Sequence, residues 1–366
     1  MKILHTAAIA EKSSGIVNQM RWEQEAASSL GLEWKVKIFT LATDIVNEED
    51  DLFVYSSLAK KDYSTFTFRK EYYNWLYSKR DEVDCYILRY TNFDIYQFYF
   101  IRKVGKPVYL IHHTLELPEL KSGKGFKAFL QFSAESILGK YSIKNCKENI
   151  GVTEEICEYI KKRSNRKSDI NIIYPNGVFY STDRYLEDQR YGEIPEIVFI
   201  ASYFYPWHGL DLLLNDLNNC DKNFILHIVG NVEKSDENIV KHDSRVKFYG
   251  HLNNTALDDL LKRAWVGLSS FSLYRKGMQQ ACTLKVREYL KAGIPVYAGY
   301  EDVFPQKFKY YRIGKPSMQS ILNFAEEVRL VSKSEVMSSA EPFISKRSLL
   351  NTLYREICKI ESKSHN

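Results

Sequence analysis

The sequence predicts an α/β protein of two domains, each built on a parallel sheet. The chain has 366 residues, more than one hydrophobic core usually supports, which favours two domains of roughly 150–200 residues. Apolar residues make up 45% of the chain, enough for two sizeable cores. Short apolar runs alternate with longer amphipathic stretches, and this alternation is typical of strands and helices in parallel-sheet proteins.

The short apolar runs are predicted to be the strands of the two sheets. Those of the first domain lie at Lys2–His5, Glu33–Phe39, Cys85–Arg89, Pro107–His112, Asn149–Val152 and Ile172–Tyr174. Those of the second domain lie at Ile197–Ala201, Phe224–Val229, Val246–Tyr249, Trp265–Ser269 and Pro295–Ala298.

The order of these elements predicts where the domains begin and end. Phe179–Pro195 is polar and contains Gly192 and Pro195, which makes this segment the best linker candidate. From Lys346 to Ile360, apolar residues recur at helical spacing and predict a final helix. We therefore expect a first domain at residues 1–180, a second at 181–342 and a C-terminal helical segment at 343–366.

Composition favours a protein of the cytoplasm. No apolar run reaches the about 18 residues that a membrane-spanning helix needs. The start, Met-Lys-Ile-Leu-His, reads as a strand rather than as a signal peptide. The six cysteines include no Cys-x-x-Cys pair, which favours a reducing compartment and argues against a zinc site. Asp-x-Asp is also absent, so no metal site is expected.

Positive charge is concentrated in one part of the chain. Between Arg102 and Lys167 there are 14 Lys and Arg against 7 Asp and Glu, whereas the whole chain carries +5. Within that stretch, Lys121–Phe132 places lysines beside large apolar residues. One interpretation is an ordinary helix pair with solvated lysines, and the other is a surface that rests on anionic lipid headgroups. No nucleic acid is expected as a partner, because no recognition motif accompanies the charge.

The segment from Gln280 to Val296 reads as a short loop, a helix and a buried strand. Thr283 is a suitable N-cap, with a hydroxyl able to accept a hydrogen bond from a free amide of the first turn. Gly293 and Pro295 mark the end of the helix.

Charged residues on this helix suggest a ligand site. A loop that leads into a helix N-terminus, with Lys285 and Arg287 in the first turns, is a candidate anion site. Glu288 lies about a turn further on, where its carboxylate can accept from two neighbouring hydroxyls of a ribose. The alternative is an amphipathic surface helix in which Glu288 pairs with Lys285 or Lys291.

The same segment resembles the donor-nucleotide motif of the family 4 glycosyltransferases, enzymes with the GT-B fold. That motif is Glu-x7-Glu followed by a small-residue helix end and Gly-x-Pro-Val. Here Gln280 and Glu288 occupy the two acidic positions, and Ala292–Val296 matches the tail. The resemblance implies that Gln280 contacts the donor sugar and that Glu288 holds the ribose. It also assigns nucleotide binding to the start of the helix, at Thr283, Leu284 and Lys285.

Two segments of the first domain extend the resemblance. Ser13–Gln19 is similar to the glycine loop after the family's first strand, where Gly15 would let the backbone approach the substrate closely. Tyr109–Thr114 is similar to a family strand that ends in His-Thr, which implies that His113 lies near the donor sugar. A simple turn glycine and a structural histidine are the alternatives.

The start of the second domain departs from the family pattern. Ile200–Leu214 resembles the family's first strand, loop and helix of that domain, which commonly carry an Arg and a Lys that clamp the diphosphate. Ser202 and His208 occupy those positions here. His208 still offers a hydrogen bond to a phosphate oxygen. The missing positive charge is expected from one of three basic residues: Lys285, Arg275 or Lys276.

The resemblance implies a GT-B fold, with two Rossmann-like domains, a cleft between them and a C-terminal helix that crosses back to the first domain. It implies a retaining, metal-independent hexosyltransferase without cofactors. Its partners would be a nucleotide sugar and a glycan or polyprenyl-linked acceptor of polysaccharide, lipopolysaccharide or capsule assembly, in the cytoplasm or at the inner face of the plasma membrane. Two other classes stay open: a GT-B nucleotide-sugar epimerase or hydrolase, and a catalytically weak binding or scaffold subunit.

Overall fold

The chain divides into two compact units. The computed structural model describes residues 1–11, 13–41, 50–58, 63–121, 123, 125–166, 171–180, 188–190 and 192–364. The first unit consists of Met1–Pro175 and Lys346–Asn366, and the second of Asn176–Ser345. Of the predicted linker Phe179–Pro195, residues 181–187 and 191 lie outside the described residues.

The first unit contains a seven-stranded sheet in which every pairing is parallel, in the order β3-β2-β1-β4-β5-β6-β7. Its central strands are near-continuous apolar runs, as expected where helices cover both faces of a parallel sheet. The strand order reverses between β1 and β4, which makes this point the topological switch of the sheet. The strands are β1 Ile3–Ala8, β2 Trp34–Leu41, β3 Phe53–Ser56, β4 Cys85–Arg89, β5 Val108–His112, β6 Glu148–Gly151 and β7 Ile172–Ile173.

The helices of the first unit connect these strands. Side chains cap three of them: Ser64, Asp94 and Thr153 accept hydrogen bonds from first-turn amides. A π-helix at Glu135–Gly139 joins the fifth helix to the sixth. The helices are α1 Ser14–Ser29, α2 Thr65–Ser78, α3 Ile95–Lys103, α4 Glu116–Lys121, α5 Phe126–Ala134, α6 Lys140–Asn145 and α7 Glu154–Ser164.

The second unit has a six-stranded parallel sheet in the order β10-β9-β8-β11-β12-β13, which reverses between β8 and β11. The core includes Phe199, Leu226 and Trp265, all fully buried. The strands are β8 Glu196–Tyr203, β9 Ile225–Asn231, β10 Val246–Phe248, β11 Val266–Leu268, β12 Val296–Ala298 and β13 Tyr311–Ile313. The helices are α8 Leu210–Asp216, α9 Lys234–Ile239, α10 Asn254–Arg263, α11 Leu284–Lys291, α12 Met318–Val328 and α13 Lys333–Ile344.

The final helix, α14 (Lys346–Ser364), belongs to the first unit and packs against α1. Leu350, Leu353 and Ile357 are buried at helical spacing. The predicted two-sheet α/β architecture and the return of the C-terminal helix to the first domain are therefore confirmed.

A buried carboxylate, Glu23 on α1, links this helix to the sheet. Its Oε1 lies 2.5 Å from His5 Nδ1 and accepts from Trp34 Nε1 at 3.0 Å, while Oε2 accepts from the Tyr174 hydroxyl at 2.7 Å. Lys346 Nζ lies 3.6 Å from Oε2. Burial alone would raise the pKa of Glu23, but His5, Lys346 and Tyr174 outweigh burial and lower the pKa to about 2.

Replacing Glu23 with glutamine is expected to make unfolding less sensitive to acid. In the wild-type protein, the contribution of this carboxylate is present above its ordinary pKa of 4.5 and is lost as the pH falls toward 2. Within that window, one titrating group changes the free energy of unfolding by up to about 1.4 kcal/mol per pH unit. Urea unfolding at several pH values measures the slope. Glu25→Gln, on the exposed side of the same helix, is the matched control and should keep the wild-type slope. An unchanged slope in Glu23→Gln would rule out this carboxylate as the acid-sensitive group.

Candidate functional site

In the second unit, loops that follow parallel strands meet at the carboxyl edge of the sheet. The loop after β8 (204–209) and the loop after β11 (269–283) lie on either side of the point where the strand order reverses. The amide of Phe271 donates to the carbonyl of His208 at 2.9 Å. Gly209 ends the first loop with a φ of +68°, and a Cβ there would lie 3.0 Å from the Phe271 Cβ, so the close approach requires glycine. Ligands of open α/β sheets bind at such an edge.

The start of α11 is positioned by a tyrosine from a third loop. The Tyr300 hydroxyl lies 2.9 Å from Thr283 Oγ1 and 2.9 Å from Ser269 Oγ. Thr283 occupies the N-cap position as predicted, but its hydroxyl bonds Tyr300 instead of a helix amide. This corrects the prediction, because a shared buried tyrosine competes for the hydroxyl. No side chain among the described residues caps α11, so the amides that begin at Leu284 face a site without a capping oxygen.

Lys285 carries an unusual ammonium group in the first turn of α11. Its Nζ is buried and has no hydrogen-bond partner in the described part of the chain. It lies 5.5 Å from the centroid of the fully buried Phe199 ring. Burial lowers the pKa of Lys285 to about 7. The Glu288 carboxylate offsets part of this shift. Because a buried cation without a hydrogen-bonded anionic partner is costly, this position is suited to an anionic ligand.

His208, in the loop after β8, is a neutral donor beside this lysine. Burial, followed by the charge of Lys285, lowers the pKa of His208 to about 3. Its Nδ1 accepts from the Tyr205 amide at 3.0 Å, which leaves the proton on Nε2. His208 can therefore donate one neutral hydrogen bond to a phosphate oxygen. Ser202, the other position of the family's clamp, is exposed near the end of β8.

Three other basic residues of this region are already engaged. Arg287 forms a fully buried pair with Asp302, with both guanidinium–carboxylate distances at 2.5 Å. The predicted role of Arg287 in an anion site is wrong, because the side chain faces this carboxylate. Arg275 is paired with Asp211 at 2.9 Å through both nitrogens, and Lys276 Nζ lies 5.2 Å from the Trp207 ring.

The two residues at the acidic positions of the motif lie on either side of the helix start. Glu288 is exposed on α11, one turn after Lys285. Gln280 pairs with Glu301 in an isolated parallel bridge, and its Nε2 donates to Glu301 Oε2 at 3.2 Å. Glu301 thus places a carboxylate beside the position where the motif has glutamate and this chain has glutamine. Sequence reasoning missed Glu301, because it follows a different strand of the sheet.

In the first unit, His113 and a cavity of about 360 Å³ lie where β1, β4 and β5 end, next to the topological switch. Arg89, the last residue of β4, places Nη1 2.6 Å from His113 Nε2. Burial, with Arg89 as the next cause, lowers the pKa of His113 well below its usual range, so the ring is neutral and accepts at Nε2. Arg89 was not a predicted site residue, although the predicted strand Cys85–Arg89 ends on it. Gly15 is the second residue of α1 rather than a loop residue.

A buried ionic network that the sequence did not reveal supports this cavity. Glu116 Oε1 lies 2.6 Å from His112 Nδ1, and its Oε2 accepts from Arg163 at 3.2 Å. Arg163 also bonds Glu135, which accepts from the Tyr90 hydroxyl at 2.6 Å. These residues come from β5, α4, the π-helix and α7, so the network fixes several walls of the cavity at once. Among the described residues, no group of three or more His, Cys, Asp or Glu side chains is arranged to hold a metal ion.

Comparison with known proteins agrees with this architecture. Residues 194–302 match the family model described as glycosyl transferases group 1. The lipopolysaccharide outer core galactosyltransferase WaaB has a similar structure, with 13% identity, a TM-score of 0.65 and coverage of 97% of this chain and 99% of WaaB. A glycosyltransferase from Rickettsia africae aligns at 12% identity and a TM-score of 0.67, with 98% of each chain covered. HepE from Anabaena, in complex with UDP-glucose, aligns at 12% identity and a TM-score of 0.62, with 98% of this chain and 100% of HepE covered.

No curated protein matches the chain in sequence. At these identities the solved structures show a shared fold, and the narrower assignment to family 4 stays a prediction. The family match covers the β8–α11 region in which the Lys285 site lies. Together, these comparisons show that the whole chain has the GT-B fold and that residues 194–302 are similar to glycosyl transferases group 1.

Proposed function

We propose that this protein is a glycosyltransferase that moves a hexose from a nucleoside-diphosphate sugar to a glycan or polyprenyl-linked saccharide. Retention at the anomeric carbon, independence of metals and cofactors, and a role in assembling cell-surface polysaccharide such as lipopolysaccharide or capsule are parts of the proposal. Its main support is Lys285, a buried and unpartnered ammonium at the uncapped start of α11. Helix amides and an unpaired cation at one place suit a diphosphate.

The proposed chemistry depends on stabilising the leaving diphosphate. As the bond from the sugar to phosphate breaks, negative charge grows on the diphosphate and the sugar becomes oxocarbenium-like. An acceptor hydroxyl forms the new bond to the anomeric carbon, and its proton passes to the departing diphosphate. Lys285, the first amides of α11 and the Nε2–H of His208 are donors fixed in advance, and they replace the charge that a metal would supply. Glu288 holds the ribose, and Gln280 with Glu301 faces the sugar. That His113 acts near the donor sugar stays a prediction, and no side chain is assigned as a nucleophile.

A thermal-shift panel of UDP, GDP, CMP and ADP tests the proposal. A ligand at a hundred times its Kd stabilises the folded protein by about 2.7 kcal/mol. UDP is the first choice, because HepE is known in complex with UDP-glucose. If none of the four nucleotides stabilises the chain, the donor site is absent and the scaffold alternative is favoured.

Replacing Glu288 with alanine is expected to weaken nucleotide binding by about 1.5–3 kcal/mol, the range for hydrogen bonds to charged groups. The reason is that a site built to bind hydroxyls leaves polar groups unpaired when its carboxylate is removed. Calorimetry with the best nucleotide of the panel measures the loss. Glu326→Ala, on α12 of the same unit and partly exposed, is the control. Affinity that is equal in Glu288→Ala and wild type would make Glu288 an ordinary surface residue.

We further propose that the enzyme works on a membrane surface through α5 and the residues that follow it. α5 has no buried residue. Large apolar side chains are exposed along this segment, which we call the α5 patch: Phe126 at 75%, Phe129 at 63%, Leu130 at 51%, Ile137 at 61% and Tyr141 at 53%. Lys121, Lys127, Lys140 and Lys144 accompany it, and the predicted contributor Lys124 lies outside the described residues.

The composition of the α5 patch matches an interfacial helix better than a helix pair with solvated lysines. Each basic residue near an anionic leaflet contributes about 1 kcal/mol, and the exposed rings add apolar insertion. Within the described residues, none of the helices has the length and apolar character needed to cross a bilayer. The attachment that we propose is peripheral and reversible.

Vesicle co-sedimentation is expected to show binding to anionic vesicles at low salt that fades as salt rises, because charges are screened within about 10 Å at 0.1 M. The double substitution Phe126→Ser/Phe129→Ser should weaken binding by at least about tenfold, since each buried ring is worth about 1.5–3 kcal/mol. Phe66→Ser is the matched control, since Phe66 is 62% exposed in the same unit but lies on α2. If the wild-type protein ignores anionic vesicles at low salt, the acceptor is a soluble glycan or small molecule.

A further inference from the structure

The first-unit cavity contains a cation that no described residue neutralises. Arg89 lines the cavity and forms no ion pair among the described residues, and its Nη1 donates a hydrogen bond to the neutral ring of His113. Burial lowers the pKa of Arg89 to about 10, yet a guanidinium stays charged at neutral pH. One N–H of the Arg89 guanidinium donates to His113, so the other N–H groups of the guanidinium are available to a ligand.

A second unsatisfied group lines the same cavity. Thr114 Oγ1 is buried and has no hydrogen-bond partner within the described chain. Buried hydroxyls are nearly always bonded, so an orphaned hydroxyl in a cavity that an unpaired guanidinium also lines marks a place where a ligand completes the bonding. Both groups offer donors, and the partner that suits them is an oxyanion.

The other charges at the cavity are already paired. Arg69 donates to the carbonyls of Phe93 and Asn92 at 3.2 and 3.1 Å, and its Nε lies 3.5 Å from Asp94 Oδ2. Glu116 is held by His112 and Arg163. Arg89 is therefore the charge at this cavity that a bound anion would neutralise.

We propose that the acceptor carries an anionic group, a phosphate or a carboxylate, and that Arg89 and Thr114 bind this group in the first-unit cavity. This inference rests on the proposed function, because it names the chemistry of the acceptor. Arg89 donates bidentate hydrogen bonds to two oxygens of the group, and the Thr114 hydroxyl donates to one of them. The acceptor is thereby held beside His113 by an interaction that is independent of the donor nucleotide.

Phosphate binding to the full chain tests this assignment. Lys285→Met serves as the parent in the titration, so that the proposed diphosphate site cannot contribute. Inorganic phosphate is expected to raise the melting temperature of this parent. Adding Arg89→Met should weaken phosphate binding by at least about tenfold, the equivalent of one charge-assisted hydrogen bond. Arg89→Lys keeps the positive charge but loses the bidentate donor geometry of the guanidinium, and it should bind phosphate with intermediate affinity.

Two further measurements separate a site from a general effect of charge or folding. Arg102→Met removes an exposed charge from α3 of the same unit and should leave phosphate binding unchanged. Arg89→Met should melt at a higher temperature than the parent without ligand, because it removes a partly buried cation that forms no ion pair with a described residue. Equal phosphate binding in the parent and in Arg89→Met, or no binding to the parent, would overturn the proposal.

The source of the anion is resolved by competing ligands. Glucose 6-phosphate that binds more tightly than inorganic phosphate indicates a soluble sugar phosphate, whereas displacement of phosphate by phosphatidic acid vesicles indicates a lipid-borne group. If neither phosphate ligand competes and glucuronate also fails, the link to an acceptor is overturned.

Nucleotide stabilisation of Arg89→Met with Lys285 intact should equal that of wild type. A chain that binds phosphate through Arg89 but no nucleotide would refute the proposed function and leave the anion site standing.

Discussion

Replacing Lys285 with methionine is expected to lower turnover by about 10²–10³-fold and to raise the stability of the ligand-free protein. The loss corresponds to removing one fixed donor from the charge that develops in the transition state, about 2.7–4 kcal/mol. The gain in stability has a separate cause: the Nζ of Lys285 is buried without a hydrogen-bond partner among the described residues, and methionine fills a similar space without a charge to desolvate. Steady-state kinetics and thermal melting of the same preparations measure both effects.

The pH dependence of nucleotide affinity provides a second signature of Lys285. Burial lowers the pKa of Lys285 to about 7, so the free protein loses this positive charge as the pH rises through neutrality. The protonated form attracts the diphosphate, and affinity in the wild-type protein should therefore fall above about pH 7. Lys285→Met should show a weaker affinity that no longer changes over this range.

Lys276→Met is the matched control for Lys285→Met. Lys276 lies in the loop before α11, over the Trp207 ring, and its removal should change turnover much less than Lys285→Met. The opposite ranking would transfer the diphosphate role to Lys276 and leave the buried lysine as a packing feature.

The fold was predictable because each buried strand of a parallel sheet corresponds to a short apolar run in the sequence. β4 matches its predicted range, Cys85–Arg89, and the predicted strand Lys2–His5 corresponds to β1, which pairs with both β2 and β4. The missed strands, β3 and β13, lie at sheet edges, and five of their seven residues are only partly buried or exposed. These two edge strands have one neighbour each and bury little apolar surface, so their sequences lack the signal that marks a central strand.

The site was less predictable, because the sequence gives residue types but not their partners. Lys285 and Arg287 are basic residues in the first turns of one helix and read alike in the sequence. In the folded unit, Arg287 faces Asp302, whereas the Nζ of Lys285 is buried beside Phe199. The two side chains thus leave opposite sides of one helix. Arg287 enters the core, and Lys285 lies at the candidate site. The difference depends on the Asp302 carboxylate, which lies in the loop that follows β12.

Arg89 and His113 illustrate the same limit in the first unit. They are 24 positions apart, and each follows or ends a buried strand. Because the carboxyl ends of neighbouring parallel strands meet, their proximity follows from the sheet order. The missing anionic partner of Arg89 among the described residues becomes visible only once the neighbours of the guanidinium are known.

Replacing Asp302 with alanine is expected to lower the free energy of unfolding of the second unit by about 3–5 kcal/mol. The Asp302 carboxylate and the Arg287 guanidinium are both fully buried, and removing one partner leaves an uncompensated charge in the interior. The amide of Val303 also loses its bond to Asp302 Oδ1, at 2.7 Å. The exposed pair of Arg312 and Glu327 is the matched control in the same unit, and Glu327→Ala should cost about 0–1 kcal/mol.

The double substitution Arg287→Met/Asp302→Leu should restore most of this loss, because replacing both members of a buried pair by apolar residues is often neutral or stabilising. Arg287 also donates to the carbonyls of Asn176 and Thr283, at 3.2 and 3.4 Å, so it ties the start of α11 to the segment that enters the second unit. Hydrogen exchange in Asp302→Ala should therefore rise first in α11, and nucleotide affinity should fall even though Asp302 does not face the proposed diphosphate position. A uniform rise in exchange across the unit, with affinity retained, would show that the pair stabilises the core without positioning the helix.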